Sequence, residues 1–328
     1  MIHFVLLIVC AVAIYLSCEW FVNAVEWLGR RMKVGTIAVG TVLAAFGTAL
    51  PESVVTFVAV VFGDTPEQKD IGVGAAMGGP LALATVAYGV IGWSLLARKK
   101  RAQEDWGDLD KLAKDQSWFV AVFVVKVALG LVAFSIKPWL GILFFAVYGA
   151  YFWREMRQKD DDGPVEELHP LKLQRRRAAP ATWAVVVQTV AALAVIFAAS
   201  QLFVTQLESV GPMLGLPAAV TALLLAPIAT ELPEIMNAVI WVRQGKTKLA
   251  LANVSGSMMI QATVPSGLGL LFTPWRFDNT LLISGVVTLL AVLYLLLTLR
   301  TGRLSVRRLS IAATFYALFA LAVVPTFT

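Results

Sequence analysis

Gly47-Thr48-Ala49-Leu50-Pro51-Glu52 returns as Ala229-Thr230-Glu231-Leu232-Pro233-Glu234, at the same place in each half of a 328-residue chain. Each copy puts a proline and a carboxylate inside a hydrophobic stretch. Proline has no N–H for the carbonyl four residues earlier, so each string should free the carbonyl of its first residue, Gly47 or Ala229. A carboxylate in the middle of a membrane costs about 2.5 kcal/mol or more. Two costly residues that occur together twice indicate a functional site rather than a packing kink.

The composition indicates a membrane protein. Hydrophobic residues make up 59% of the chain and charged residues 15%, which is too apolar for a water-soluble globule of this length. Ten stretches are long enough to cross about 30 Å of hydrocarbon. We predict helices over residues 3–27, 35–62, 71–97, 117–135, 138–156, 181–207, 215–242, 248–273, 279–299 and 308–327. The fold class is therefore all-α, a polytopic membrane protein of about ten helices.

The basic residues predict how this protein lies in the membrane. They concentrate in alternate loops, at residues 30–33, 98–114, 154–177, 243–248 and 300–308, while the loops between hold one basic residue or none. By the positive-inside rule the basic loops are cytoplasmic, which places both termini outside the cytoplasm. The net charge of +6 therefore needs no nucleic acid to explain it.

The chain contains an internal repeat that is longer than the two strings. A shift of 182 positions aligns Cys18–Ser53 with Ser200–Ile235 without a gap. Five predicted helices separate the copies, and because five is odd the halves cross the membrane in opposite senses. Such an inverted-topology repeat places its site near the midplane. We divide the chain into a first five-helix repeat at 1–157, a cytoplasmic linker at 158–180 and a second repeat at 181–328.

The polar groups of both strings are hard oxygen donors. Thr48 and Glu52 are four residues apart, as are Thr230 and Glu234, so each pair would share one face of a continuous helix. Hydroxyl, carboxylate and freed carbonyl oxygens suit Ca²⁺ or Na⁺ better than a soft metal, which prefers Cys or His. The helices that carry the strings contain neither of the two histidines. The strings therefore predict a site for a transported hard cation.

These stretches resemble the cation/calcium exchanger superfamily, which includes sodium/calcium and calcium/proton exchangers. Residues 19–52, followed by a glycine-rich helix, are similar to its first repeat motif, and 230–234 with 253–257 to its second. We place the two motifs at 40–83 and 222–261. The resemblance implies ten helices in two inverted halves, antiport of Ca²⁺ against Na⁺ or H⁺, and a place in the inner membrane of a prokaryotic cell.

The chain departs from the family pattern in both motifs, and most strongly in the first. The family often has a serine between threonine and leucine in both strings, where this chain has Ala49 and Glu231. In the third helix the family has a serine and a more distal amide or acid, where this chain has Gly79 and Leu83. The site implied by the resemblance is therefore lopsided, with most ligands from the second half.

The resemblance, carried over residue by residue, gives a set of cation ligands. The predicted side chains are Thr48, Glu52, Thr230, Glu231, Glu234, Ser257 and Gln261, with the backbone carbonyls of Gly47 and Ala229 as further candidates. Our hypothesis is that Glu52 and Glu234 bind the divalent ion, while Glu231 tunes the charge or carries a proton. The alternative is that Glu231 turns away from the ion.

Other functions fit the sequence less well. A transporter of the same architecture for Mg²⁺, Mn²⁺ or K⁺ with proton coupling stays open, whereas the glutamates would repel an anion. An enzyme is not expected, because the spans contain no His-Glu-x-x-His motif and no obvious nucleophile and histidine pair. We predict inorganic cations and the lipid bilayer as partners, with no cofactor, no nucleic acid and no obligatory protein partner.

Two features are left open by the sequence. Lys126 lies in the middle of the predicted fourth helix, where it could pair with a carboxylate, extend to the membrane surface or lie in a protein contact. The charged segment between the halves is expected to be a solvated linker.

Overall fold

The structure is a computed structural model that describes residues 2–63, 65–98, 106–157, 168–215 and 224–324. Every regular element in these ranges is helical. The first five helices are α1 (Ile2–Met32); α2, made of Thr36–Ala38, a π-helical segment Val39–Ala44 and Ala45–Val61; α3, made of Pro66–Ala82, a π-helical segment Leu83–Ala87 and Tyr88–Ala97; α4 (Leu109–Leu131); and α5 (Leu140–Arg157). The second five are α6 (Thr182–Met213); α7, made of Ala226–Thr230 and Leu232–Arg243; α8 (Thr247–Phe272); α9 (Asn279–Arg300); and α10 (Val306–Val323).

The predicted all-α polytopic fold is confirmed, with shifts at several helix ends. Helix α4 begins at Leu109 and not near residue 117, with the Asp108 side chain accepting a hydrogen bond from the Lys111 amide, the usual start of a helix. Helix α3 begins earlier than predicted, at Pro66, and α6 continues further, to Met213. The predicted start of the seventh helix, at 215, adjoins residues outside the described ranges.

Several helices are long and apolar enough to cross a membrane. In the described ranges they are Ile2–Met32, Lys69–Ala97, Thr182–Gly211, Asn279–Arg300 and Val306–Val323, and the bent pair Thr36–Ala49 and Glu52–Val61 is a sixth candidate. Helix α8 is more polar, but the fold buries most of its residues. Polar residues in a membrane helix face the protein interior, so α8 forms the centre of the bundle.

The helix contacts show the internal repeat in three dimensions. Helix α5 packs against α8 as α10 packs against α3, and α4 contacts α8 as α9 contacts α3. In the same way, α2 packs against α8 as α7 packs against α3. Helices α1 and α6, which are equivalent in the two halves, pack against each other. Each of these contacts has a counterpart when the first five helices are exchanged for the second five. The packing therefore has the two related halves that the sequence repeat predicts.

Close contacts between small residues bring the halves together. A Cβ on Gly256 of α8 would lie 2.1 Å from the Thr41 carbonyl oxygen of α2. A Cβ on Gly78 of α3 would lie 2.8 Å from the Pro227 ring of α7. Only glycine permits such approaches between membrane helices. As a result, the helices that carry the two Pro-Glu strings lie directly against α8 and α3.

Both string-bearing helices are interrupted, as the prolines predict. Helix α2 bends by 47° between Thr36–Ala49 and Glu52–Val61, so Pro51 stands at the bend. Helix α7 is broken at Glu231, whose φ of −86° and ψ of 5° are not helical, two residues before Pro233. Because proline lacks the N–H that continues a helix, Pro51 and Pro233 explain the interruptions at these two places.

The segment between the halves is not simply solvated in its described part. Leu171 has no exposed surface. The Asn23 side chain on α1 donates to the Pro170 carbonyl at 3.2 Å and accepts from the Lys172 amide at 2.9 Å. A buried amide needs such partners, and they hold residues 168–172 against α1. The expected solvated linker is thus wrong for Leu171, whereas His169 and Pro170 are exposed. Residues 158–167 lie outside the described ranges, and the division at 1–157, 158–180 and 181–328 stays a prediction.

Candidate cation site

The two Pro-Glu strings meet where α2, α3, α7 and α8 pack together. Glu52 is 6% exposed, Glu234 is 1% exposed and Glu231 has no exposed surface. Thr48, Ser257 and Gln261 are also buried, whereas Thr230 is half-buried. A buried carboxylate is costly unless a cation or hydrogen-bond donor compensates its charge. Three buried carboxylates, each of which is energetically costly, therefore lie at the junction of the halves.

Gln261 of α8 links the carboxylates of the two halves. Its Nε2 donates to Glu52 Oε2 at 3.0 Å and to Glu231 Oε1 at 2.9 Å. One amide group thus contacts an acid from α2 and an acid from α7, in the way that a small cation would bridge them. A half-turn of this amide would present Oε1 in place of Nε2, and so change a donor into a ligand.

Glu231 uses space that Gly79 provides. A Cβ on Gly79 would lie 2.7 Å from Glu231 Oε1 and 3.1 Å from both Cδ and Oε1 of Gln261. The serine that the resemblance implies at position 79 would therefore collide with this arrangement. The two departures noted in the sequence are physically connected, because the side chain lost from α3 is replaced by a carboxylate from α7.

The threonines lie beside the acids of the opposite half. The Thr48 hydroxyl is next to the Glu234 carboxylate, and the Thr230 hydroxyl is next to that of Glu52. Thr48 Oγ1 donates to the Ala44 carbonyl in its own helix at 3.1 Å. Because its proton is used there, the oxygen lone pairs are available to a cation. The sequence predicts that the threonine and the glutamate of one string share a helix face. The structure also brings each threonine next to the glutamate of the other string.

Several buried oxygens at this junction have no hydrogen-bond partner among the described residues. They are both carboxylate oxygens of Glu234, Oε2 of Glu231, Oγ of Ser257 and Oε1 of Gln261. Buried polar atoms are nearly always paired in native proteins. A hard cation accepts contacts from oxygens of these kinds, and a cation at this junction would therefore compensate them.

Comparison with known proteins places the chain in a family. The family model described as sodium/calcium exchanger protein matches residues 2–156 and 184–324, which is most of the chain and both repeats. The chain belongs to the sodium/calcium exchanger family. Its members are transporters and not enzymes, as the sequence predicts.

Relatives within the sodium/calcium exchanger family are distant but cover most of the chain. Inner membrane protein YrbG of Escherichia coli strain K12 is 25% identical over 282 residues, 83% of this chain and 81% of its own length. The putative antiporter CaxA of Alkalimonas amylolytica is 24% identical over 295 residues, 88% and 87% of the two chains. The fold is similar to that of the sodium-calcium exchanger NCX_Mj soaked with 2.5 mM Na⁺ and 0.1 mM Ca²⁺, with a TM-score of 0.75 at 19% identity over 98% of both chains. The family and the fold confirm a multi-pass membrane protein.

The side chains at the candidate cation site do not form a closed metal cage in the described ranges. In the described ranges no three His, Cys, Asp or Glu side chains already stand at the spacing of metal ligands. The Gln261 amide lies between two of the acids, and Ser257 is one turn before it on α8. Leu83 is buried in the hydrophobic core, so the first half offers no polar ligand at that position. The ligand roles of the predicted residues, including the carbonyls of Gly47 and Ala229, stay predictions.

Two contacts that join neighbouring helices are not evident in the sequence motifs. Asn253 Nδ2 donates to the Glu234 backbone carbonyl at 3.3 Å, which fixes the broken part of α7 against α8. Lys126 has no exposed surface, and its Nζ donates to the Ala76 carbonyl of α3 at 2.7 Å. Of the three interpretations of Lys126, burial in a protein contact is the one that the structure shows.

Proposed function

We propose that this exchanger-family protein is a secondary active antiporter that exchanges Ca²⁺ against Na⁺ or H⁺ by alternating access. The observation that carries the proposal is the meeting of Glu52, from the first half, with Glu231 and Glu234, from the second, at a buried junction. Carboxylate, amide and hydroxyl oxygens are the ligands of hard cations. The acids come from both halves, so a bound ion can couple their relative motion.

The charge of the site explains why transport would be an exchange. Glu52 and Glu234 hold the divalent ion from opposite halves, with Thr48 and Thr230 beside them. When the ion leaves, the buried carboxylates face one another without compensation, which disfavours the empty site in the membrane. Monovalent cations that neutralise the acids allow the protein to return. The proton is one candidate, because clustered carboxylates raise one another's proton affinity.

The printed names of the relatives support an exchanger without fixing its ions. CaxA is named a putative antiporter and NCX_Mj a sodium-calcium exchanger. A protein of the same architecture for Mg²⁺, Mn²⁺ or K⁺ with proton coupling is the alternative. Mg²⁺ demands a nearly ideal octahedron and keeps its water, whereas Ca²⁺ accepts irregular sets of oxygens. The uneven ligands of the two halves favour Ca²⁺.

Ion flux into proteoliposomes tests the proposed function. We expect ⁴⁵Ca²⁺ uptake into vesicles loaded with Na⁺ or at acidic pH, and none into vesicles without either gradient. Gradients applied one at a time, with the membrane potential clamped, identify the coupling ion. Uptake of Mn²⁺ or Mg²⁺ but not Ca²⁺ would support the alternative, and an absence of gradient-driven flux for every cation would contradict antiport.

We also propose that both termini lie outside the cytoplasm. The basis is the alternation of basic loops, since exposed Arg175, Arg176 and Arg177 precede α6 while the loop between α4 and α5 holds one lysine, Lys137. Lipid would surround the exposed apolar face of α1.

Labelling of single cysteines tests this orientation. Cys10 and Cys18 are both buried, so they give a low background with a membrane-impermeant thiol reagent. We expect Ile136→Cys, which replaces a residue that is 63% exposed, to react in intact cells. Arg177→Cys should react only after the membrane is permeabilised. The opposite pattern would invert the proposed topology.

A further inference from the structure

Cys18 of α1 lies against the second Pro-Glu string. Its side chain has no exposed surface, and its Sγ donates to the Pro233 carbonyl of α7 at 3.7 Å. One turn further along α1, Phe21 covers the first string, because a Cβ on Gly47 would lie 2.9 Å from Phe21 Cζ. Helix α1 therefore crosses both strings at these two residues. It brings a sulfur atom to a site whose predicted ligands are all oxygens.

The side chain of Asn237 lies over the same carbonyl. In an α-helix a side chain leans back over the carbonyl four positions earlier, and four positions before Asn237 in the helical part Leu232–Arg243 is Pro233. Asn237 has no exposed surface, and neither its Oδ1 nor its Nδ2 has a hydrogen-bond partner among the described residues. A buried amide without a partner is rare in native proteins. The Cys18 thiol and an unpaired amide are therefore neighbours.

Glu234 supplies a charge at the same place. It follows Pro233 directly and precedes Asn237 by three residues, so it adjoins both on α7. Its carboxylate interacts electrostatically with the Cys18 thiol. It is 1% exposed, and neither of its carboxylate oxygens has a hydrogen-bond partner in the described ranges. A thiol, an amide and a carboxylate from α1 and α7 thus converge beside one carbonyl.

These three side chains suit a soft divalent cation. Thiolate sulfur selects thiophilic metals, whereas oxygen ligands alone favour hard ones. We infer that Cys18, Asn237 and Glu234 form a site for a thiophilic divalent cation such as Cd²⁺. The ion binds through the Cys18 sulfur, a Glu234 oxygen and Asn237 Oδ1, and the thiol proton passes to the solvent as the metal–sulfur bond forms. This inference goes beyond the proposed function and shares only Glu234 with it.

The shared carboxylate makes the two ions competitors. Glu234 is a ligand in the proposed Ca²⁺ site, and a Cd²⁺ ion that holds it withdraws it from Ca²⁺. Because Cys18 is buried, Cd²⁺ reaches the thiol by the path that leads any cation to Glu234. We therefore expect Cd²⁺ to inhibit Ca²⁺ exchange.

The first half of the chain lacks this combination. Under the 182-residue shift, Cys18 corresponds to Ser200 and Asn237 corresponds to Val55. Ser200 on α6 is 4% exposed, and its Oγ has no hydrogen-bond partner in the described part of the chain. A hydroxyl thus replaces the thiol, and an apolar residue replaces the amide. Serine is therefore the substitution that the chain itself offers for testing Cys18.

Cd²⁺ binding by the purified protein tests the inference. Wild type, Cys18→Ser and Asn237→Leu are titrated in detergent with Cd²⁺ and with Ca²⁺ by calorimetry, and the ultraviolet charge-transfer absorption from thiolate to Cd²⁺ is recorded. Changes to groups that only support a metal ligand cost about 10–100-fold in affinity. Loss of the ligand itself in Cys18→Ser should therefore lower the ratio of Cd²⁺ to Ca²⁺ affinity at least about tenfold and abolish the absorption. Asn237→Leu should lower the ratio and keep the absorption.

Cys10→Ser is the matched control. It removes the other buried thiol of α1, eight residues and about 12 Å before Cys18 along the helix. We expect it to keep the wild-type affinity ratio and the wild-type absorption. In proteoliposomes, the Cd²⁺ concentration that halves ⁴⁵Ca²⁺ uptake should be at least about tenfold higher for Cys18→Ser than for Cys10→Ser.

The outcomes separate this site from the proposed function. Cd²⁺ binding by wild type without charge-transfer absorption would mean that the ion occupies oxygen ligands only, and it would overturn the inference. Equal affinity ratios in Cys18→Ser and Cys10→Ser would overturn it as well. Cd²⁺ bound through Cys18 in a protein that exchanges no Ca²⁺ would support the soft-cation site and contradict the proposed function.

Discussion

Glu52→Gln and Glu234→Gln are each expected to reduce Ca²⁺ exchange in proteoliposomes by about 30-fold or more, because removing one member of a buried charge pair costs roughly 2–5 kcal/mol. The substitution keeps the shape of the side chain and removes its charge. Glu234 should be the more sensitive position, since neither of its carboxylate oxygens has a hydrogen-bond partner in the described ranges and an ion would be its principal contact. Initial rates of ⁴⁵Ca²⁺ uptake under an imposed Na⁺ or H⁺ gradient measure the effect.

The matched control for these two variants is Glu19→Gln. Its side chain on α1 is 35% exposed and pairs with Lys172, so the same chemical change occurs outside the site. We expect its uptake to stay within about twofold of wild type, since exposed ion pairs contribute about 0–1 kcal/mol. If Glu52→Gln and Glu234→Gln exchanged Ca²⁺ at the rate of this control, the site would be wrongly assigned.

The features predicted from the sequence are those that depend on local chemistry. The spans follow from apolar length, and the breaks in α2 and α7 follow from Pro51 and Pro233, which remove a backbone donor wherever they stand. The relation between the halves follows from the 182-residue shift, because the same residues fold in the same way twice. The family assignment depends on these features together, and it is confirmed.

The features that the sequence did not predict depend on contacts between distant residues. The pairing of Thr48 with Glu234 arises because the halves face each other, and spacing within one string carries no information about it. The contact of Lys126 with Ala76 joins residues that are 50 positions apart in the sequence, and it also depends on the proline at position 80. One signal was available in advance: the family pattern is lost at both Gly79 and Glu231, and two departures in one site suggest that they compensate each other.

Gly79→Ala is expected to reduce Ca²⁺ exchange about tenfold or more, with little loss of folded protein. The added methyl group would lie 2.7 Å from Glu231 Oε1 and 3.1 Å from the Gln261 amide, and so it must displace one of them. Both are ends of flexible side chains, so the backbone packing survives while the bridge from Glu52 through Gln261 to Glu231 is broken. A displacement of about 1 Å at a binding site is enough for a large functional loss. Uptake rates in proteoliposomes and melting temperatures in detergent are both measured. We predict a lower uptake rate without a matching fall in the melting temperature.

Two partner variants separate this contact from a general effect of a methyl group on α3. Gly74→Ala is the control, because a Cβ at Gly74 meets no atom within 4 Å, and alanine is a better helix former than glycine. Glu231→Asp withdraws the carboxylate by one methylene and keeps its charge, so adding it to Gly79→Ala should recover part of the lost rate. Recovery would show that Gly79 and Glu231 act as one unit, whereas equal losses in Gly79→Ala and Gly74→Ala would mean that the space at position 79 has no special part in binding the ion.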